Sequence, residues 1–291
     1  MNYKPSELII NEDGSIFHLR LLPEDISEYI LLVGDPGRVD LISSFFDSIE
    51  VEKHNREFKT ITGNYNNQRI TVISSGIGTD NIDIVVNELD ALANIDLKKR
   101  ENKQEFKKLN IIRLGTSGAI QKDIPVGSFV ASKKSVGFDN LLFFYDIERK
   151  NKKITKALKK QLKWPKKQSF PYILDASEQL LNLFGDHVKQ GINISAPGFY
   201  GPQGRQLRIP LAYPKANNKI EEFEFKQQKI TNYEMESSAI YGLSQYLGHN
   251  ALTICLIIAN RISKEYAGDY KPMMKKLIKL VLDTLTKKQS E

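Results

Sequence analysis

Short apolar runs alternate with amphipathic stretches along most of the chain. Residues 29–33 and 252–259 are almost entirely apolar, and 110–114 is a third run of this kind. Such runs are typical of strands that are buried on both faces of a sheet. Between them, residues 81–93 carry apolar side chains at helical spacing. Strands that alternate with helices predict an α/β fold with a mixed central β-sheet flanked by helices.

The same pattern places the remaining elements. We expect paired strands at 57–61 and 68–74 around a turn at Gly63 and Asn64, a strand at 127–135, and helices at 38–46 and 233–247. No internal repeat and no clear linker interrupts the order. We therefore expect residues 1–291 to form a single domain, with a lysine-rich insertion near 142–172.

The stretch 271–288 combines lysines with a regular apolar stripe. Its apolar positions recur at helical spacing: Met274, Leu277, Ile278, Val281, Leu282 and Leu285. This pattern predicts an amphipathic helix that packs on the body of the protein with its lysines in solvent. A helix for a membrane surface or a partner is the alternative, and we favour the packed helix.

The net charge of +7 raises the question of nucleic acid. The excess lies mainly in 150–167 and 271–288, and neither stretch interleaves aromatic and base-reading side chains. We therefore expect no nucleic-acid partner. No apolar segment has the length of a membrane span, and residues 1–20 lack the order of a signal peptide. The single cysteine, Cys255, excludes an intrachain disulfide, so the expected location is the reducing cytoplasm.

Three segments of small residues follow apolar runs, at 34–37, 76–78 and 115–118. Glycines allow backbone N–H groups to converge, and a strand that ends at a helix N-terminus suits an anion. Arginines accompany them, because Arg38 follows the first segment and Arg113 precedes the third, while Arg56 lies in a polar stretch of its own. Guanidinium groups match phosphate in a bidentate way, so these segments predict a phosphate site.

Other common sites are missing from the sequence. There is no P-loop, which argues against a nucleoside triphosphatase, and no Gly-x-Gly-x-x-Gly dinucleotide fingerprint. The four histidines are scattered, so no metal-ligand cluster is expected.

Five segments in order resemble the nucleoside phosphorylase-I superfamily. They are Gly-Asp-Pro-Gly-Arg-Val (34–39), His-Asn-Arg-Glu-Phe (54–58), Ser-Gly-Ile-Gly (75–78), Arg-Leu-Gly-Thr-Ser-Gly-Ala-Ile (113–120) and Asn-Tyr-Glu-Met-Glu-Ser (232–237). The resemblance extends from about residue 17 to residue 261. It implies the nucleoside phosphorylase-like fold and a pentosyltransferase activity.

One further segment resembles the uridine phosphorylase branch of that family. Residues 199–205 contain the aromatic Phe199 followed by Gln203 and Arg205. Uracil presents two carbonyl oxygens and one N–H in a plane, which glutamine and arginine can read together. The chain also has Asn260 and Arg261 where purine-cleaving relatives carry an aspartate, and this too resembles the uridine branch.

The resemblance implies a role for individual residues. The implied phosphate-binding residues are Gly34, Arg38, Arg56, Arg113 and Thr116; the ribose-binding residues are His18, Met235, Glu236 and Thr116; the base-binding residues are Phe199, Gln203, Arg205 and Arg261; and the catalytic residues are Arg205, Gln203 and Arg113. His18 and Arg56 would come from a neighbouring subunit. The implied minimal unit is therefore a homodimer, which the family commonly assembles into a hexamer.

The implied reaction is the reversible phosphorolysis of uridine to uracil and ribose 1-phosphate, with phosphate as co-substrate and no organic cofactor. Glu57 is a candidate potassium ligand by resemblance, although Asn81 stands where relatives have serine. Asp80 would oppose an anion if its carboxylate pointed inward. We expect it to cap the following helix together with Asn81.

Three alternatives stay open from the sequence. The chain could be a purine nucleoside phosphorylase or a nucleosidase of the same superfamily, which uses water as nucleophile. It could also be a non-catalytic nucleoside-binding protein. The residues at 203, 205 and 260 argue against the first, and the three arginines of the phosphate site argue against the other two.

Overall fold

A 12-stranded mixed sheet runs through the computed structural model, which describes residues 2–148 and 150–287. Its strands, with a separate two-stranded ribbon of β5 and β6, are β1 (Tyr29–Val33), β2 (Ser48–Asn55), β3 (Phe58–Tyr65), β4 (Gln68–Ser74), β5 (Ile95–Asp96), β6 (Glu101–Asn102), β7 (Asn110–Ala119), β8 (Phe129–Gly137), β9 (Tyr172–Asp175), β10 (Lys189–Ser195), β11 (Glu224–Phe225), β12 (Gln228–Glu234), β13 (Asn250–Asn260) and β14 (Glu265–Tyr266). The α-helices are α1 (Pro36–Ser43), α2 (Thr79–Asn94), α3 (Lys152–Leu162), α4 (Glu178–Phe184), α5 (Ala216–Glu221), α6 (Ser237–Leu247) and α7 (Lys271–Thr286).

The two faces of the sheet are covered by different helices. In β1, Ile30 and Leu32 pack with the apolar faces of α2 and α6, whereas Leu31 and Val33 pack with α1, α4 and α7. Because successive side chains of a strand point to opposite faces, this central strand must be apolar throughout. The predicted fold class, α/β with a mixed central sheet flanked by helices, is confirmed.

Five strands of the sheet close into a ring. The order β12–β10–β8–β13–β7 returns to β12, because β12 also pairs with β7 in antiparallel fashion through Tyr233 and Gly118. The chain that leaves β12 therefore runs back along β7 towards Arg113. We call these five strands the five-strand ring. Its pairing brings the ends of β12 and β13 to the C-terminal end of β7, and the end of β10 beside the end of β12.

The hairpin between β3 and β4 differs from the sequence prediction. Gly63 and Asn64 lie inside β3, and the turn is formed by Asn66 and Asn67, both with positive φ. Two consecutive residues of this conformation make the turn that suits the twist of a two-residue hairpin, and asparagine tolerates it. Gly63 is needed for a different reason, since a Cβ there would overlap the Ser48 carbonyl oxygen on β2.

Two further boundaries were wrong. The small residues 115–118 do not end a strand, because β7 continues through them to Ala119. The predicted helix 233–247 begins only at Ser237, since Tyr233 and Glu234 complete β12. In both places the tertiary pairing of β7 with β12 overrides the local pattern of the sequence.

The lysine-rich insertion contains helix α3. Ile154 and Leu158 are buried in an apolar cluster that includes Ile220 of α5, while Lys152, Lys156 and Lys160 are exposed. Helix α3 of the insertion thus packs through this apolar stripe on a cluster to which β8, β10 and β12 also contribute.

Helix α7 packs as the sequence predicts. All six residues of its apolar stripe are buried in the same cluster as Leu31 and Val33 of β1, and Lys275, Lys276 and Lys279 are exposed. The last residue of the predicted stretch, Lys288, lies outside the described residues. No helix among the residues that the structure describes is long and apolar enough to cross a membrane.

We expect Ile278→Ala to lower the free energy of unfolding by about 2–5 kcal/mol, because Ile278 is fully buried and the change leaves a cavity. Lys275→Ala, on the exposed face of the same helix, should change it by no more than about 0.5 kcal/mol. Urea denaturation of the two variants measures both values. Equal effects would mean that α7 does not pack on the body.

Candidate active site

Arg113, on β7 of the five-strand ring, is a buried charge with 5% of its surface exposed. Its Nη2 donates to the carboxylate of Glu236, and its Nη1 lies 3.6 Å from Oε2 of Glu234. Nη1 also lies 3.8 Å from the Cys255 sulfur. We call Arg113, Glu234 and Glu236 the arginine–carboxylate cluster.

The cluster shifts the titration of its members. Burial by itself would lower the pKa of Arg113, but the carboxylates of Glu236 and Glu234 outweigh it and raise that pKa above its usual value. Burial raises the pKa of the Glu236 carboxyl, Arg113 opposes this effect and Glu234 adds to it. Arg113 is therefore charged at any pH at which the protein is folded, and Glu236 depends on it as a counterion.

Glu236 lies at the junction between β12 and α6. Its Oε1 accepts a hydrogen bond from the backbone N–H of Gly78 at 2.9 Å, and its Oε2 faces Arg113. Gly78 has a φ of +101°, in the region that favours glycine. The segment 76–78 thus contributes a backbone donor to the cluster, rather than only ending an apolar run.

Gly115 makes room for the guanidinium. A Cβ at this position would overlap Nη1 of Arg113 and would approach the Cys255 sulfur to 3.1 Å. The side chain of Arg113 therefore folds back over its own strand only because residue 115 has none. This explains in physical terms why a glycine follows the arginine by two positions.

Arg38, in the first turn of α1, reaches β7 beside Arg113. Asp35 caps α1 by accepting from the Gly37 N–H at 3.0 Å, and Arg38 Nη1 donates to the Leu114 carbonyl oxygen at 3.1 Å. Burial, and then the neighbouring charge of Arg113, lowers the pKa of Arg38. Two arginines with a repulsive interaction between them form a place where an anion is stabilised.

The structure brings together part of the predicted phosphate and ribose set. Arg38 and Arg113 lie close to each other, and a Cβ at Gly34 would approach the Gly76 carbonyl oxygen to 3.4 Å. Thr116 is half-buried two residues beyond Leu114 on β7, and Met235 is half-buried next to Glu236. The roles assigned to these residues stay predictions.

The predicted base-binding residues form a second group, on the segment that follows β10. Gln203 is 3% exposed and ends a short 3₁₀ helix, Gly201–Gln203. Arg205 Nη1 donates to Gln203 Oε1 at 2.5 Å and to the Phe199 carbonyl oxygen at 2.7 Å. Its guanidinium lies 3.8 Å from the Phe199 ring centroid, and Arg261 donates to the Gln203 carbonyl oxygen. The four residues thus form one connected group, in which Arg205 contacts Phe199 and Gln203, and Arg261 contacts Gln203.

The positive charges of this group lack a carboxylate partner among the described residues. Burial lowers the pKa of Arg205 to about 10, and the charge of Arg261 contributes to the decrease. Burial also lowers the pKa of Arg261, whose guanidinium lies 5.4 Å from the Tyr233 ring centroid. A negative charge placed beside Arg205 would therefore be stabilised strongly.

Asn260 has no capacity left for a ligand. Its amide donates to the carbonyl oxygens of Gln121 and Ile124, both at 2.9 Å, and its Oδ1 accepts from the N–H groups of Ile262 and Ser263 at 2.9 and 3.0 Å. The Asn260 side chain therefore fixes the turn after β13.

His18 and Arg56 lie together at a different place. Asn55 donates to the His18 carbonyl oxygen at 2.7 Å, and His18 Nδ1 lies 2.6 Å from Oε1 of Glu88. Arg56 is exposed in the hairpin turn between β2 and β3, with a φ of +54°. Neither side chain contacts the arginine–carboxylate cluster of its own chain within the described residues. They form one patch on the surface.

Glu57 and Asp80 complete the set of predicted residues. A Cβ at Gly76 would meet the Glu57 side chain at 3.2 Å and would overlap the Asn81 amide, so Glu57 and Asn81 both adjoin segment 76–78. The described residues contain no group of three or more metal-ligating acids, histidines or cysteines. A potassium site stays a prediction. Asp80 is exposed in the first turn of α2, and it does not cap the helix, which begins after Gly78.

Glu234 is the buried residue that the sequence reading missed. Its Oε2 accepts from the backbone N–H groups of Glu236 at 3.0 Å and Ser237 at 2.9 Å, and its Oε1 accepts from Ser195 Oγ. It therefore fixes the start of α6 and faces Arg113 at the same time. The available signal was a second carboxylate two positions before Glu236, at the end of a strand.

Asn217 on α5 was also missed. Its Nδ2 donates to the Gln203 carbonyl oxygen at 3.2 Å, and its Oδ1 accepts from the Tyr233 hydroxyl at 2.9 Å. It connects the segment that holds Gln203 to the end of β12. No local sequence pattern indicates such a contact.

Comparison with known proteins shows what this chain is similar to. The sequence matches the model of the phosphorylase superfamily over residues 28–285. It is 30% identical over 264 residues to the uridine phosphorylase of Thermococcus kodakarensis, which covers 88% of this chain and 81% of that protein. It is 26% identical to a DeoD-type purine nucleoside phosphorylase of Oceanobacillus iheyensis, over 93% of this chain and 99% of that protein.

A solved structure agrees with these matches. The nucleoside phosphorylase of Trypanosoma brucei, described as showing uridine phosphorylase activity, superposes with a TM-score of 0.86 at 29% identity. The superposition covers 97% of this chain and all of that chain.

We expect Glu234→Gln to lower the free energy of unfolding by about 2 kcal/mol, because it removes a buried charge that serves three donors and faces Arg113. Glu222→Gln, at an exposed position just after α5, should leave stability within about 0.5 kcal/mol of the parent. Chemical denaturation measures the difference. Equal stability of the two variants would show that Glu234 does not support the cluster.

Proposed function

The chain belongs to the phosphorylase superfamily, and we propose that it is a uridine phosphorylase, which converts uridine and phosphate reversibly into uracil and ribose 1-phosphate. The observation that carries the proposal is the contact between Gln203 and Arg205 beside Phe199. Matches to uridine phosphorylases over most of the chain support it.

Gln203 and Arg205 suit the edge of uracil. The amide of Gln203 offers both an acceptor and donors, and Arg205 offers donors alone. Because the guanidinium bonds Oε1 of Gln203, it fixes that oxygen as the acceptor and directs the amide N–H₂ elsewhere. A base with two carbonyl oxygens and one N–H between them can use this pattern, and the aromatic face of Phe199 is available for stacking.

The phosphate is assigned to Arg38, Arg113, Gly34 and Thr116. Within one chain the two arginines face the two carboxylates of the cluster, so a phosphate dianion would leave the site with excess negative charge. A third cation would offset half of this excess. We assign that role to Arg56 of a second copy, since Arg56 is exposed and does not reach the cluster of its own chain.

The ribose is assigned to Glu236 and Met235, with His18 of the second copy at the 5′-hydroxyl. Glu236 would accept hydrogen bonds from the 2′- and 3′-hydroxyls. His18 fits the role because its Nδ1 is held by Glu88, which orients the ring and leaves Nε2 for a ligand. The proposed unit is accordingly a homodimer with two shared sites, and a hexamer of three dimers is part of the same proposal.

The chemistry needs positioning and electrostatics rather than a covalent intermediate. Phosphate approaches C1′ as the bond to uracil breaks, and the sugar becomes positive while the base becomes negative. Arg205, whose charge has no carboxylate partner within the described residues, stabilises the departing base. Arg38 and Arg113 orient the phosphate, which in turn stabilises the sugar cation. The proposed reaction uses no organic cofactor, and potassium at Glu57 is a separate proposal.

The two substrates compete with the internal ion pair. Phosphate draws Arg113 away from Glu236, and the ribose hydroxyls supply Glu236 with new donors. Each substrate thus offsets part of the cost of separating the pair for the other. Glu234, at 3.6 Å from Nη1, can keep Arg113 oriented during this exchange.

A purine nucleoside phosphorylase is the second candidate, because purine-cleaving relatives match over a similar length. The bonds of Asn260 argue against it. Its amide is fully engaged by backbone groups, and it carries no proton that it could transfer to a base. A cytoplasmic location and the lack of a nucleic-acid partner belong to the proposal as well.

We expect purified protein to release uracil from uridine in the presence of phosphate, and to release none without it. Inosine should be cleaved at least about a hundredfold more slowly, since a site built for one hydrogen-bonding edge rejects another. Base release is followed by absorbance or chromatography. Cleavage of inosine at a comparable rate, or cleavage of uridine without phosphate, would contradict the proposal.

Arg205→Ala tests the base-recognition assignment in the same assay. It should reduce turnover of uridine by about 10²–10³, as expected for the loss of a group that stabilises developing charge. The affinity for phosphate should stay nearly unchanged. Unaltered turnover would contradict the base-recognition role of Arg205 without contradicting the proposed reaction.

We expect an inactive Arg56→Ala chain and an inactive Arg113→Ala chain to form an active mixed dimer. One of its two sites then has Arg113 from one chain and Arg56 from the other, so about half of the parent activity returns. Dimers with two different affinity tags, purified in tandem, provide the sample. Arg38→Ala mixed with Arg113→Ala is the matched control, in which neither site is complete. Equal recovery in both mixtures would show that Arg56 acts in its own chain.

A further inference from the structure

A cavity of about 880 Å³ lies between the end of the lysine-rich insertion and the loop 198–213. Its walls include Trp164 from the insertion, Leu207 and Ile209 from the loop, and Arg205 itself. Arg113 and Glu236 do not line it. The volume is in the range of sites that bury most of a small organic molecule.

The walls of the cavity are apolar and aromatic. The Trp164 ring lies 4.8 Å from the Phe138 ring between centroids, and its Nε1 donates to the Ser169 carbonyl oxygen at 3.0 Å. The indole is therefore fixed in orientation. On the opposite side, Leu207 is 70% exposed and Ile209 is 83% exposed. A planar apolar group between these walls would cover surface that the chain leaves in contact with water.

The charged groups of the cavity all have the same sign. Lys167, Arg205 and Arg208 line it, and no aspartate or glutamate is among the described residues of its wall. The hydrogen bonds of Arg205 go to neutral oxygens, those of Phe199 and Gln203. An anionic group is the complement of such a surface, and a guanidinium binds a carboxylate or sulfonate through two parallel donors.

We propose that this cavity is a second ligand site, which binds a planar aromatic anion against Trp164 and pairs its charge with Arg205. The shape of the walls selects the aromatic part, and the three cations select the anionic part. The occupant engages the same guanidinium that the proposed function assigns to the base. It therefore opposes uridine binding without contacting the phosphate arginines.

Trp164 reports occupancy directly, because it is the only tryptophan in the sequence. Its fluorescence can be titrated with para-nitrocinnamate, a planar anion that quenches indole on contact, and with the neutral para-nitrocinnamamide of the same shape. We expect saturable quenching by the anion and an affinity for the amide that is weaker by about tenfold. Equal affinity for both probes, or a linear response without saturation, would overturn the proposal.

Ile209→Asp is the variant that tests the location. It places a negative charge in the cavity wall at an exposed position, so the fold is preserved and the affinity for the anion should fall by about tenfold. Ile49→Asp, at an exposed isoleucine of β2 outside the cavity, is the matched control and should not change it. Weaker binding of the anion by Ile49→Asp, or unchanged binding by Ile209→Asp, would contradict the proposed location of the site.

Inorganic phosphate at saturation distinguishes this cavity from the phosphate site. Quenching that persists supports the second site, and quenching that disappears means that the probe occupies the phosphate arginines. In the cleavage assay the anion should raise the KM for uridine and leave the KM for phosphate unchanged. This last consequence rests on the proposed function. The fluorescence titration does not rest on that function. It would show whether the second site exists even if the protein did not cleave uridine.

Discussion

The buried pairing of Arg113 with Glu236 and Glu234 is the constraint on which the arrangement of the site depends. A guanidinium with only 5% of its surface exposed cannot remain in place without a counterion, and a buried carboxylate has the same need. The two requirements are met together only if β7 and the end of β12 lie side by side. The antiparallel contact of Tyr233 with Gly118, which closes the five-strand ring, provides this arrangement. Gly115 and the Gly78 N–H then become necessary, because one leaves space for the guanidinium and the other satisfies the remaining carboxylate oxygen.

Much of the fold could be predicted from the pattern of apolar residues. The strands around β1 and the helix α7 follow from runs and periodicity that are local in the sequence. The errors lie where partners distant in the sequence decide the structure. Residues 115–118 look like a turn until β12 pairs with them, and 233–234 look helical until β7 pairs with them. The turn at Asn66 and Asn67 is different, since its signal was local and was assigned to the neighbouring glycine instead.

The residues of the candidate site also divide into those that the sequence identified and those that it did not. Arg38, Arg113 and Glu236 could be identified because each stands in a recognisable motif, and the structure places them in contact or close together. Glu234 and Asn217 were not identified, because their importance comes from what they bond rather than from where they stand in the chain. His18 and Arg56 show the limit of one chain: their motifs were recognised, but neither side chain contacts the cluster within the described residues, and their action in a second copy stays a proposal.

The two halves of the site also differ in how the chain supports them. Arg113 and Glu236 are held by the sheet itself, through the pairing of β7 with the end of β12. Gln203 and Arg205 stand on a segment that bonds mainly to itself and to Asn217 and Arg261. Such a segment can change without loss of the sheet, as loops on a rigid scaffold generally can. The lysine-rich insertion meets the chain at this variable half, where it forms a cavity wall behind Arg205. The segment proposed to read the base therefore lies where the chain can change without loss of the sheet, whereas the residues proposed for phosphate lie where the sheet fixes them.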